Sequence, residues 1–304
     1  MKKLMTRLLS LVLLGTFIPS FVLADSWYLE NGDITIKATS DTSQTVTQGE
    51  NSKEDSNPTI SNWDPNGNNA GNTGSTSNTI IIEAAAGAKA NVTLENVNID
   101  VSSNSEAAIT TQGQGDVTLN LSGNNSVQSG EYRAGIHKEN TGNLTVTTPE
   151  GGTGSLNATG GKGGAGIGGG STVGNSNGNN ITISGGTIVA TGGEYSAGIG
   201  GGGIRNSNNA SNITISGGNV TANGAGSAAG IGGGNGGSGT DIEITGGIVM
   251  ATGGEQGAGI GGGKVGNGSN ITVSGGTVIA TGKDDYDGGG AGIGGGSGGN
   301  GSDI

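Results

Sequence analysis

One block of sequence returns along the C-terminal half of the chain and limits what it can fold into. The copy from Ile181 reads ITISGGTIVATGGEYSAGIGGGGIRNSNNASN, and the block begins again at Ile213, Ile242, Ile271 and Ile304. Successive starts are 29 to 33 residues apart. A single copy carries too few apolar side chains to offset its own ordering entropy. Copies stacked face to face share their apolar surface, which is the logic of a solenoid.

Within each block three short runs look like strands. Run a is apolar–polar–apolar: VTL at Val92 and Val117, LTV at Leu144, ITI at Ile181 and Ile213, IEI at Ile242 and ITV at Ile271. Alternation of period two sends both apolar residues of such a run to one side. Run b places Ile188, Val220, Val249 and Val278 two residues before Ala190, Ala222, Ala251 and Ala280. Run c centres on Ile109, Ile136, Ile167, Ile199, Ile231, Ile260 and Ile293. The expected fold is all-β: a single-stranded parallel β-helix with three short strands per coil of 25–37 residues. Coils stack about 4.8 Å apart, so seven coils and an N-terminal region make a rod of roughly 35–45 Å. Asn or Asp precedes run a in each block, at Asn91, Asp116, Asn143, Asn180, Asn212, Asp241, Asn270 and Asp303. These residues tolerate left-handed turns, and stacked copies form a polar ladder.

Residues 1–24 read as a signal peptide, with Lys2, Lys3 and Arg7 before an apolar stretch from Leu8 to Leu14. The apolar run is too short for a membrane span. The expected localisation is therefore secreted or cell-surface, with no membrane insertion after cleavage. Residues 25–78 are polar, hold Trp27, Tyr28 and Trp63, and read as an N-terminal cap with a polar loop. Residues 79–304 read as the β-helix, and the block that opens at Ile304 leads us to expect further sequence beyond it.

Composition narrows the partners. The chain has 70 glycines and 4 prolines among 304 residues, without the three-residue period of collagen. It has no cysteine, hence no disulfide and no lipoprotein anchor. Loss of the leader leaves 9 basic against 24 acidic residues, a net charge of −15, which argues against nucleic acid. A calcium-binding nonapeptide is nearly present at Gly236–Asp241, but Glu243 falls where that motif needs a large apolar residue. The glycine triplets lack the Lys-Ser/Thr of a phosphate loop. His137, beside Arg133 and Lys138, reads as a surface-turn residue.

The turn between runs b and c carries the unusual chemistry. It reads Glu131-Tyr132-Arg133, then Lys162, Glu194-Tyr195, Ala225-Gly226-Ser227, Glu255-Gln256, and Lys283-Asp284-Asp285-Tyr286-Asp287. Three of the four tyrosines lie there, each beside a carboxylate. Aromatic faces beside acids suit carbohydrate, which makes Tyr132, Glu131, Arg133, Tyr195, Glu194 and Tyr286 candidate binding residues. Asp284, Asp285 and Asp287 are the candidate ligands of a calcium ion, which prefers several oxygens. The plainer reading is a solvated acidic turn.

The section Val92–Gly170, with VTLENVNID, DVTLNLSGNNSV, YRAGI and GSLNATGG…AGIGGG, resembles the secreted carbohydrate-binding β-helix proteins of biomass-degrading and gut bacteria. The later ITISGG…AGIGGG copies are similar to repeats of bacterial surface proteins. The resemblance implies a right-handed β-helix of the pectate-lyase type, surface calcium, and binding to plant polysaccharide such as polygalacturonate. The expected function is therefore noncatalytic, extracellular, pectin-like polysaccharide binding with calcium as candidate cofactor. The alternatives are a structural or adhesive cell-surface stalk without a ligand, and a polysaccharide lyase. A lyase needs acids and a base on one sugar, whereas Arg133 and the Asp284 cluster are five coils apart, about 24 Å.

Overall fold

The computed structural model describes residues 25–69, 72, 74–171, 177–204, 208–283 and 288–304. The leader read over residues 1–24, and the candidates Asp284, Asp285, Tyr286 and Asp287, lie outside the described residues. Within them, runs a, b and c form three walls of a parallel β-solenoid of about nine turns. The only helical element among the described residues is one 3₁₀ turn at Leu29–Asn31.

Period-two alternation sets what each wall buries. In the coil that starts at Ile181, Ile181, Ile183, Ile188, Ala190 and Ile199 are all fully buried, while Thr182 and Val189 face outward. Each buried isoleucine contributes about 2 kcal/mol of apolar burial. The coil above and the coil below supply the surface it is buried against. Wall c shows this stacking directly: Ile109, Ile136, Ile167, Ile199, Ile231, Ile260 and Ile293 pair in one unbroken register. Wall b is equally regular, with Ala158, Ala190, Ala222, Ala251 and Ala280 stacked in a line.

Wall a departs from the sequence reading at one step. Val117 pairs with Ala90, and Leu119 pairs with Val92. The two VTL runs are therefore offset by two residues. Asn91 faces Thr118, and Asp116 faces Lys89, so Asn91 does not belong to the ladder that begins at Asp116. A shift of two keeps every side chain on its original face, which is why alternation alone does not detect it. From Asp116 onward the ladder holds. Asn180, Asn212, Asp241, Asn270 and Asp303 all have φ between 51° and 57°. Asn212 Nδ2 donates to Asn180 Oδ1 at 2.8 Å, and Asn270 Nδ2 donates to Asp241 Oδ1 at 2.5 Å. A second ladder, four residues before run a, was not read from the sequence. Asn177, Asn209, Ser238 and Asn267 each accept, through the side chain, a backbone N–H of the next coil.

The N-terminal stretch covers one end of the stack. Ile34–Ala38 pairs in parallel with Ile80–Ala84 of wall c, and on its other side antiparallel with Gln44–Gln48. The outermost strand, Asn51–Glu54, is exposed throughout and carries Lys53 and Glu54, which discourages further pairing. The Gln44 side chain stands in for a strand: its Nε2 donates to Asn91 O at 2.8 Å and its Oε1 accepts from Asn91 N at 3.0 Å.

One turn position is filled against local preference. Gly236, Val265 and Gly298 occupy the same place in successive turns between walls c and a, with φ of 75°, 55° and 76°. A β-branched residue in this left-handed region is strained. Val265 is 62 % exposed and gains little from burial there. Val265→Gly is therefore expected to stabilise the chain by about 1 kcal/mol, measured by urea unfolding. A loss of stability would show that the valine makes a compensating contact.

Candidate functional site

The outward face of wall b is bordered by two turn edges, and each carries distinctive side chains. The edge towards wall c is the tyrosine row. Tyr132, Gly163, Tyr195 and Gly226 occupy equivalent turn positions in four successive coils, linked by Tyr132 N to Lys162 O (2.8 Å) and Gly163 N to Glu194 O (3.1 Å). Both tyrosines sit in the left-handed region, at φ 66° and 70°, and both are half-buried. Between them Lys162 Nζ lies 2.9 Å from Glu194 Oε2. That ion pair holds the Glu194 carboxyl below its usual range, with a hydrogen bond from Tyr195 adding to the effect. The same contacts raise Lys162, and the bond to Glu194 raises the Tyr195 phenol. Glu131 is exposed on the same ridge.

Arg133 is turned away from this row. Its Nη1 lies 3.5 Å from Glu139 Oε1, beside His137. His137 is 1 % exposed, so the surface-turn reading of this residue is corrected. Its position in wall c pairs with Gly168, and Gly170 in the next coil leaves room for its ring, since a Cβ there would lie 2.5 Å from Cε1. His137 Nδ1 accepts the Ala134 N–H at 3.4 Å, which assigns the proton to Nε2, and Nε2 donates to Glu139 Oε1 at 3.0 Å. The Glu139 carboxyl is lowered, first by this bond and further by the Arg133 guanidinium, against the opposing effect of burial. These contacts make the cluster a structural clasp.

Lys138 is also buried, and its Nζ donates to the carbonyls of Asn140 (2.6 Å) and Gly142 (2.8 Å). Burial lowers its pKa to about 8. The folded state thus holds its proton less tightly than the unfolded chain, where an ordinary lysine titrates near 10.4. Stability is penalised below pH 8 and recovers as pH rises from about 8 to about 10.4. The recovery is expected to be about 3 kcal/mol. Urea midpoints measured across that range should rise, and Lys138→Met should flatten the profile. An unchanged slope in the variant would assign the effect to another group.

The edge of wall b towards wall a holds a cleft of about 740 Å³. One side is the loop that follows the wall-a strand Thr59–Ser61, with Asn62, Trp63, Pro65, Asn72 and Gly74. The other side is Glu95 and Asn96 at the turn, with Asn98, Asn124 and Ser126 from wall b. Two shallower depressions continue it over Ser155, Asn157, Thr187 and Val189. The floor is ordered because its side chains stack by register: Asn98 with Ser126, Asn124 with Ser155, Ser155 with Thr187, and Asn157 with Val189.

Trp63 is held at the mouth by its neighbours. Asn62, 1 % exposed, accepts the Asn98 N–H at 2.8 Å and donates to Asn98 O at 2.7 Å and to Gly74 O at 3.2 Å. Its amide copies a strand pairing and fixes the loop to wall b. Behind the loop, Glu30 accepts from Asn69 Nδ2 at 2.6 Å and from Asp64 N at 2.9 Å. These bonds, that from Asn69 first, lower the Glu30 pKa. Trp63 Nε1 donates to Gly74 O at 3.3 Å, and the indole is half-buried. The structure thus unites Tyr132, Tyr195, Glu131 and Glu194 on one ridge and leaves Arg133 to the clasp.

Trp63 and its cleft were not among the sequence candidates. The available signal was a single large aromatic residue inside a Gly/Asn/Ser-rich loop. Its cleft partners lie more than thirty residues on, from Glu95 to Ser126.

The family model described as Beta helix repeat matches residues 181–203, 213–235, 242–264 and 271–297. Each match spans run a to the glycines after run c, so these four blocks are beta-helix repeats. No curated protein and no solved structure matches the chain.

Proposed function

We propose that this chain of beta-helix repeats is a noncatalytic, extracellular glycan-binding protein whose site is the Trp63 cleft. The observation that carries the reading is the placement of an immobilised indole opposite a stacked floor of amides and hydroxyls. A sugar presents apolar C–H faces and a rim of hydroxyls. An indole suits the first, and Asn and Ser side chains suit the second. Hydrolysis of a glycosidic bond ordinarily uses a pair of carboxylates. The residues lining the cleft contribute one, Glu95. This supports binding without cleavage. The leader-like residues 1–24 support an extracellular site of action.

The full chain should be retarded in affinity gels containing at least one polysaccharide, and its tryptophan fluorescence should change on adding fragments of the same polymer. Absence of both effects across a broad panel would end the proposal. Release of reducing ends or of unsaturated uronates would replace it with an enzymatic function.

A further inference from the structure

We infer that the cleft takes an uncharged polysaccharide chain lying along the solenoid axis, and not a polyuronate. The inference rests on the glycan reading above and adds the chemical class of the ligand.

Charge is the first ground. Among the residues lining the cleft the only charged group is Glu95, which is exposed at its rim. Recognition of a carboxylate ordinarily draws on Arg or Lys, whose donors pair with both oxygens. None lines this cleft or the two depressions that prolong it. On the opposite edge of wall b, Lys162 is paired with Glu194, and Arg133 with Glu139. The chain as a whole carries a formal charge of −12, so a polyanion is repelled before it arrives.

Shape is the second ground. The floor runs across four successive coils, from Asn98 through Ser126 and Asn157 to Val189. Three steps of strand spacing make this about 14 Å. That length suits several sugar units in a row. The exposed side chains change along it from amide and hydroxyl to the aliphatic Val189, which is 36 % exposed. A neutral, extended chain offers both hydroxyl edges and C–H faces to such a floor.

The test sets soluble neutral glycans (xylan, glucomannan, β-glucan) against polygalacturonate and alginate, each with calcium and with chelator. The expected result is binding of at least one neutral glycan, unchanged by chelator. Its affinity should vary less than about two-fold between about 50 mM and about 500 mM salt, since no charge pair is formed. A Trp63→Ala variant should lose this binding, while its circular dichroism and melting remain those of a folded solenoid. Polyuronate binding that depends on Trp63, with no neutral glycan bound, would overturn the inference and leave the glycan reading intact. No binding to either class would remove both.

Discussion

Replacing Gly232 by alanine should cost about 3 kcal/mol and uncouple the coils that follow it. Gly232 follows Ile231 in wall c with φ +131°, and stacks between Gly200 and Gly261. A Cβ there would lie 2.0 Å from the carbonyl oxygen of Gly261 in the next coil. Neither backbone can withdraw, because each is held by its own wall. Solenoid coils are stabilised by their neighbours, so a clash between two coils weakens the interface between them. Urea unfolding followed by circular dichroism should show an earlier or broader transition. Gly294→Ala provides the control within the same column. Its φ is +132°, but the nearest atom to its Cβ is Ile304 Cδ1 at 3.3 Å. It keeps the backbone strain without the carbonyl clash, at about 1–2 kcal/mol. Equal losses in the two variants would show that strain, and not stacking, sets the requirement for glycine.

Removing the indole of Trp63 should weaken glycan binding at least ten-fold, about 1.4 kcal/mol. Buried aromatic anchors dominate recognition surfaces, and Trp63 is the one aromatic residue lining the cleft. Asn62→Ala should weaken binding as well, by a different route. It leaves Trp63 present but deletes the amide that fixes its loop to Asn98 and Gly74. The same change removes buried hydrogen bonds and should cost about 1–3 kcal/mol of stability. Titration calorimetry with the bound glycan separates the two: Trp63→Ala loses affinity without loss of stability, and Asn62→Ala loses both. A Tyr132→Ala/Tyr195→Ala pair bears on the other edge of wall b. Should that variant lose affinity while Trp63→Ala keeps it, the binding surface is the tyrosine ridge.

Lys138 and His137 show why sites in this chain are harder to read than its fold. Both follow Ile136 in wall c, where later blocks have glycine, and that pattern makes His137 read as a surface-turn residue. Burial comes from contacts that no local pattern announces. His137 is covered from the next coil, where a Cβ on Gly170 would lie 2.5 Å from the ring. Lys138 is held by carbonyls at Asn140 and Gly142.

The sequence by itself determined the walls, their inward faces and the stack. Apolar residues two apart must share a face, and a block that recurs every 29 to 33 residues must bury that face against its own copies. Ile199, Ile231 and Ile260 lie one above another for that reason alone. Tertiary structure decided the two-residue offset between Val92 and Val117, because a slip of two changes partners without changing faces. It also decided the cleft. Asn62 and Asn98 are thirty-six residues apart in the chain and meet only because one turn of the solenoid brings its walls back to the same place.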